Sequence, residues 1–332
     1  MKNIFRYGLL TVAAAAMLSS CSDWTEPESV DVKFNNAQEV APEVYAKYLA
    51  NLRQYRATTH PRAYAWFANQ PVFTSQAHHV SALPDSIDVA VLTNPLALNE
   101  ATVAEMNQQR ADKGMLFAAP LEFASIKKEW TAMKETETAS NPAPEWTKYL
   151  GDKVREVLAA ASSFDRLVVM YDGKVSANLP AADRAELAAE ETAFFAPVKE
   201  WLASSGKGMD FVGVPSNLLD PSVIEKADVI FLSETARATN TDEFDFIVRR
   251  NSVANVAADR FAVMAAVPVL DPTQAAVGYW GDKLSSHEAA RWAAANGLKG
   301  LGLQNISDDY YNPTFIYPVT RTAIQVLNPS AF

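Results

Sequence analysis

Eight short apolar runs rich in β-branched and aromatic residues recur along the chain, at 62–69, 86–94, 114–123, 164–173, 210–216, 227–235, 261–269 and 298–306. Between them lie longer stretches whose apolar residues return every three or four positions, the spacing of a helix with one buried face. These helical stretches are 43–57 before the first run, 99–113, 145–161, 181–204, 241–257, 285–296 and 318–327. Strands alternating with amphipathic helices predict βαβ units and a parallel sheet. Eight repeats predict its closure into one α/β domain, a single (β/α)8 TIM barrel over residues 41–332. Two connections are thin: 70–85 shows no convincing helix, and 218–226 leaves little room for one.

The first forty residues follow a different pattern. Lys2 and Arg6 precede an apolar stretch from Gly8 to Leu18, and Leu18-Ser19-Ser20 leads into Cys21. A basic start, an apolar segment too short to span a bilayer and small residues at the cleavage point describe a secretory signal peptide over 1–20. Cys21 is the only cysteine and stands where a bacterial lipobox places the residue that becomes acylated, so a lipid anchor is expected there. Residues 21–40 then form an acidic linker. Its run Ser22-Asp23-Trp24-Thr25-Glu26-Pro27-Glu28 resembles the export signal of surface lipoproteins in glycan-foraging Gram-negative bacteria. The expected location is the outer membrane, facing the cell surface.

With the lone cysteine committed to lipid, disulfides and thiolate metal sites are excluded, and stability must come from core packing. The formal charge of −10 becomes about −12 once Lys2 and Arg6 are removed, which disfavours nucleic acid and anionic lipid as partners. Neutral sugars are compatible with it. Adjacent His78 and His79 point apart and have no acidic or cysteine cluster at ligand spacing. His60 and His287 lack a serine-triad context. Phosphate-cradling glycine loops and a Gly-x-Ser-x-Gly elbow are absent. No cofactor and no metal are expected.

The fourth run carries the most specific signal. Phe164-Asp165-Arg166-Leu167-Val168-Val169-Met170-Tyr171-Asp172 is, by pattern alone, a buried strand. It also resembles the Phe-Asp-Gly-Ile-Asp-Ile-Asp-Tyr-Glu strand of glycoside hydrolase family 18, the chitinase and endo-β-N-acetylglucosaminidase family. On that alignment Asp165 keeps the first acidic position. Val168 and Met170 stand where two aspartates belong, and Asp172 stands in place of the catalytic glutamate. The last run, Gly300 to Ile306, with Asp308-Asp309-Tyr310-Tyr311-Asn312 after it, resembles the family's closing strand and aromatic loop. The third run ends Ala118-Ala119-Pro120-Leu121-Glu122 and lacks the family's Ser-x-Gly-Gly.

The resemblance implies a barrel whose chemistry has been lost. Family enzymes protonate the glycosidic oxygen with a glutamic acid while an aspartate orients the substrate's N-acetyl group as internal nucleophile. Valine and methionine do neither, and aspartate is one methylene short. The expected function is therefore a non-catalytic surface lipoprotein that captures N-acetylglucosamine-containing glycans, including N-glycans, for companion enzymes and an importer complex. Two alternatives stay open: a residual or repurposed hydrolase using Asp172 with Glu122 or Glu234, and a structural subunit of a surface complex.

In αβ barrels, ligand-binding residues gather at the C-terminal ends of the strands. That rule selects Asn69, Asn94, Glu122, Asp172, Ser216, Glu234, Asp271 and Asn305. Sugars also need aromatic platforms under their apolar C–H faces. Trp66 on the first run, Trp280 in the polar stretch Gly278-Tyr279-Trp280-Gly281-Asp282, and Tyr310 after the last run are the candidates, Trp280 foremost. Trp130, Trp146, Trp201 and Trp292 lie in helical stretches and are expected in the core.

Overall fold

The structure, a computed structural model, describes residues 37–253 and 256–329. The segment expected to be a signal peptide, Cys21 and the acidic run lie outside them. The chain divides into two compact units, Met1–Tyr48 and Leu49–Phe332. In the first, the described residues form a short helix at Ala37–Val40 and enter helix α1 (Pro42–Arg56). The second is a closed barrel of eight parallel strands: β1 Arg62–Phe67, β2 Val89–Leu92, β3 Leu116–Glu122, β4 Arg166–Tyr171, β5 Gly208–Gly213, β6 Ala227–Leu232, β7 Phe261–Ala266 and β8 Gly300–Gln304. Each strand pairs with its neighbours in chain order, and β8 closes onto β1 with Tyr64 opposite Gly302. Seven of the eight strands fall within the apolar runs, and β5 begins at Gly208, two residues before its run.

The connecting helices are α2 Glu100–Lys113, α3 Phe123–Glu135, α4 Trp146–Ala160, α5 Ala181–Ser205, α6 Asp242–Asn251, α7 Ser285–Ala295 and α8 Pro318–Leu327. Their ends are chemically marked. Asn99 caps α2 by accepting the Thr102 amide at 2.8 Å, and Gly114 ends it in the left-handed conformation. The two thin connections form only 3-10 turns, at Gln76–His78 and Val80–Ala82 after β1 and at Pro215–Asn217 and Pro221–Ile224 after β5. Helix α6 stops at Asn251, short of the expected 257, where its side chain accepts the Ser216 amide at 3.2 Å.

Among the described residues, helix α3 is the one long helix the periodicity did not predict. It starts on the residue after β3, with no loop, and turns Ile126 into the core while Phe123 and Trp146 meet edge to face at 5.9 Å. Helix α4 then makes the crossover to β4.

Two apolar layers result. The outer layer, between sheet and helices, holds Phe117, Leu167, Val169, Phe211, Ile230 and their neighbours. The inner layer fills the barrel with Tyr64, Trp66, Val168, Val212, Phe231 and Met264. Gly302 of β8 faces Trp66 and Phe231, and a Cβ there would meet the Trp66 ring at 3.0 Å. That absent side chain makes room for two aromatic rings packed edge to face at 5.7 Å.

Below this layer the barrel holds charge. The Asp210 side chain is fully buried and accepts from Arg166 Nε at 2.7 Å and Arg166 Nη2 at 2.8 Å, from the Tyr64 hydroxyl at 2.8 Å, and from the Val229 amide at 3.2 Å. Burial works against the guanidinium charge, and the bonds and charge of Asp210 overcome it, so Arg166 titrates above its ordinary range. Two further carboxylates repeat the device at the same end of the barrel. Asp88 accepts the Ala63 amide at 2.8 Å and His60 Nε2 at 3.2 Å. Asp165 accepts the Phe117 amide at 2.8 Å and Arg110 Nε at 2.8 Å. Each anion accepts an amide near the start of a neighbouring strand and faces a basic side chain.

Removing one partner of the buried pair strands the other. Arg166→Ala is expected to cost about 3–5 kcal/mol, and the Arg166→Ala/Asp210→Ala double variant less than the sum of its singles; urea unfolding of the three variants measures both. His60 supplies a pH signature. Its bond to Asp88 raises its pKa above 6.5 against the opposing effect of burial. Its contribution is therefore complete below about pH 6.5 and is lost as pH rises through the raised folded value. The stability of His60→Gln, followed by urea midpoint against pH, is expected to lack that decline.

Candidate functional site

Alternation along β4 decides what the barrel presents to a ligand. Arg166, Val168 and Met170 turn inward while Leu167, Val169 and Tyr171 turn outward into the helical layer. Asp172, the next inward position, follows the strand at the open rim with its side chain 50% exposed. Gly173 then turns the chain in the left-handed region, at φ 63°. A Cβ there would sit 3.1 Å from Asn217, whose side-chain amide donates to the Asp172 carbonyl at 2.9 Å.

A cavity of about 880 Å³ opens at this rim. Its floor is Met170, Val212, Met264 and Gln304, inward residues toward the ends of β4, β5, β7 and β8. One wall is the face of α3 that carries Lys127, Lys128 and Thr131, and the facing wall is the turn Ser233–Arg237 after β6. The volume lies within the range of about 300–1,000 Å³ for small-molecule clefts.

Asp172 is engaged in this cavity. The Ser233 hydroxyl donates to its Oδ1 at 2.6 Å, and the Arg237 guanidinium stands 3.6 Å from Oδ2. Glu122 lines the same cavity and accepts from the Ser125 hydroxyl in the first turn of α3. Behind the rim, Tyr171 packs between Phe123 at 4.8 Å and Phe195 at 5.3 Å. Its burial, followed by the nearby Glu191 and Glu190 charges, pushes its phenol far above its usual pKa. Lys127 is held over the Trp146 ring, 3.8 Å from its centroid, and 3.5 Å from Glu190. The cavity thus offers carboxylates, ammonium and guanidinium groups and the Thr131 and Ser233 hydroxyls above a floor that is apolar except for the Gln304 amide.

The structure brings together only part of the set selected from the sequence. Glu122 and Asp172 share the cavity; the remaining residues are placed elsewhere. Trp66 is 7% exposed inside the barrel, because Gly302 opens space for its ring there. Asn69 is fully buried and zipped to Asn94 by three 2.9 Å bonds that join the β1 and β2 loops. Glu234 pairs with Arg250 and accepts from Asn251 at 3.2 Å, on the far side of its turn from the mouth. Trp280 lies in a two-stranded hairpin, Tyr279–Trp280 with Lys283–Leu284, its ring 5.5 Å from Phe244 of α6. Tyr310 packs on Tyr317 at 5.6 Å.

Asn305 is exposed, with φ 61°, and starts the turn Ile306–Asp309 without lining the mouth. Ser216 bonds Asn251, and Asp271 caps Pro272–Gln274. Asp165 lies at the closed end, tied to Arg110, far along β4 from Asp172. Among the helical tryptophans, Trp146, Trp201 and Trp292 pack against the core as expected. His79 pairs with Glu105, His78 accepts from the Thr74 amide at 3.2 Å, and the His287 ring contacts the Val319 carbonyl at 3.1 Å. Among the described residues no group of three His, Cys, Asp or Glu side chains converges as a metal site would require.

The residues that sequence reasoning missed are those of α3 and, on either side of Glu234, Ser233 and Arg237 of the turn after β6. The signal for α3 was present as the spacing Phe123, Ile126, Trp130, which is helical.

Comparison with known proteins agrees with this geometry. The family model for glycoside hydrolase family 18, BT1044-like, matches residues 25–326. A structure of BT1044, in selenomethionine form with a glutamate-to-glutamine substitution, superposes with a TM-score of 0.59 at 14% identity, covering 89% of this chain and 96% of that one. A family 18 chitinase from Pseudoalteromonas aurantia superposes with a TM-score of 0.51 at 11% identity, covering 80% of this chain and 100% of that one. At such identities the likeness speaks for the fold. No curated protein matches the sequence.

Proposed function

The chain belongs to glycoside hydrolase family 18, in its BT1044-like group, and from that premise we propose that it binds N-acetylglucosamine-containing glycans at the barrel mouth without cleaving them. One observation carries the reading: the inward ladder of β4 that ends at the mouth is Val168, Met170, Asp172. The family's chemistry requires an acid within hydrogen-bond reach of the glycosidic oxygen and a carboxylate beneath the N-acetyl group. Met170 supplies a thioether at the second place, which neither orients an amide nor stabilises the positive charge of the ring closure. Asp172 is shorter than glutamate and spends one oxygen on Ser233. A displacement of about 1 Å at a reacting group costs roughly 100-fold in rate, and the loss of the orienting carboxylate adds to it.

Binding survives the same changes. The mouth keeps its volume, its polar walls and the Gln304 amide at its floor. Neutral hydroxyl-rich ligands are compatible with a surface where cations and carboxylates alternate. We extend the proposal to location: the lipobox around Cys21 and the acidic run after it support an outer-membrane lipoprotein facing the cell surface. There it would hand captured glycans to companion enzymes and an importer. A second reading is favoured by one observation, the shared cavity of Glu122 and Asp172: a repurposed hydrolase that uses this pair.

Two outcomes test the proposal. The purified protein is expected to bind N-acetylglucosamine-containing glycans on an array yet to release no sugar from chitooligosaccharides or N-glycans. Turnover that disappears in Asp172→Asn overturns the binder in favour of the hydrolase. Cys21→Ala is expected to move the protein from the membrane fraction to the soluble one, and undiminished incorporation of labelled palmitate in that variant contradicts the anchor.

A further inference from the structure

Of the aromatic rings expected to carry a sugar, Trp66 is buried and Trp280 and Tyr310 are half-buried against other rings, while a ring with no part in the core stands beside the mouth. Helix α6 sits at the rim, since Asn251 at its end bonds Ser216 after β5 and Glu234 after β6. Its inner face is anchored by Phe244 and Ile247, both buried. Phe246 lies on the opposite face and is 61% exposed, with the Arg250 guanidinium 5.7 Å from its centroid. It borders a cavity of about 590 Å³ that also takes in Arg237, Asn240, Glu243 and Arg250.

Arg237 lines both this cavity and the mouth. Its side chain is 79% exposed and meets Asp172 only at 3.6 Å, too long for a hydrogen bond. A ligand longer than the mouth therefore has a continuous path past Arg237 onto Phe246. We propose that α6 carries a second carbohydrate subsite, with Phe246 as the platform under one pyranose ring and Arg237 as the donor that bridges it to the mouth. The subsite rests on the reading of the mouth as a glycan site and extends it to an extended or branched oligosaccharide.

The chemistry of the hollow selects a sugar over a protein surface. A pyranose has one face of C–H groups that packs on an aromatic ring and a rim of hydroxyls that pair with planar donors and acceptors. The hollow offers that combination: one flat apolar ring ringed by guanidinium, amide and carboxylate groups. Glu243 is already positioned, accepting from the Thr239 hydroxyl at 2.6 Å and from Asn240 Nδ2 at 3.2 Å. A stable protein interface buries about 800 Å² on each partner around an apolar centre, whereas here a single ring stands in a charged surround.

Calorimetric titration of the full chain with a short chitooligosaccharide, which fills the mouth alone, and with a complete branched N-glycan separates the two sites. Phe246→Ala is expected to weaken the N-glycan about tenfold, the effect of about 1.4 kcal/mol, and to leave the short ligand unchanged, while Phe246→Tyr keeps both affinities. Unchanged N-glycan affinity in Phe246→Ala, with an intact circular dichroism spectrum, overturns the subsite and leaves the mouth reading standing. Equal weakening of both ligands assigns the ring to the mouth and likewise overturns a separate subsite. A parent protein that binds neither ligand overturns the glycan-binding reading and the subsite with it.

Discussion

A carboxylate with no access to water organises this barrel. Asp210 sits inside it with a fully buried side chain, and an unpaired charge there would cost several kcal/mol. Its neutralisation draws Tyr64 from β1, Arg166 from β4 and the Val229 amide from β6 onto one residue of β5. Those bonds set how four strands meet at the closed end. They also require Gly208 where it stands, since a Cβ there would lie 2.5 Å from the Arg166 guanidinium. With this end filled by charge and the middle filled by Trp66, Phe231 and Val168, the open rim is where the barrel has room for a ligand.

The same strand that supplies Arg166 supplies the site. Because inward positions recur every second residue, seating Arg166 on Asp210 brings Val168, Met170 and Asp172 to successive levels toward the mouth. The closed-end ion pair and the chemistry of the rim are thus two ends of one ladder. The polar groups of the mouth come mostly from outside the strands, from α3 and the turn after β6. Both are local elements: α3 begins at the residue after β3, and the turn Ser233–Arg237 borders the mouth on one side and the hollow of Phe246 on the other. Barrels tolerate such change because the sheet carries stability while the loops at its C-terminal ends carry recognition.

Sugar platforms show where sequence reading stops. Trp280 stands among glycines and an aspartate and reads as exposed, yet Phe244, distant in sequence, covers one side of it. Phe246 follows Phe244 by two positions and is indistinguishable from it in composition, but the helix buries one and exposes the other. Asn69 and Asn94 each read as a free rim amide, and they satisfy each other. Exposure and hydrogen-bond partnership are properties of pairs of residues, and the partners here are separated by tens of positions.

By itself the sequence determined the eight strands, because each is buried over most of both faces and must therefore be a mainly apolar run, and most of the helices, because each hides one face and must repeat every three to four residues. It also determined that valine and methionine, Val168 and Met170, occupy successive inward positions of β4, since residue identity at a given strand position needs no structure. Tertiary structure alone decided which polar and aromatic side chains share a cavity. Closing the barrel brings Met170, Asp172, Ser233 and Arg237 together from separate strands and turns, and local patterning carries no information about contacts made across the sheet.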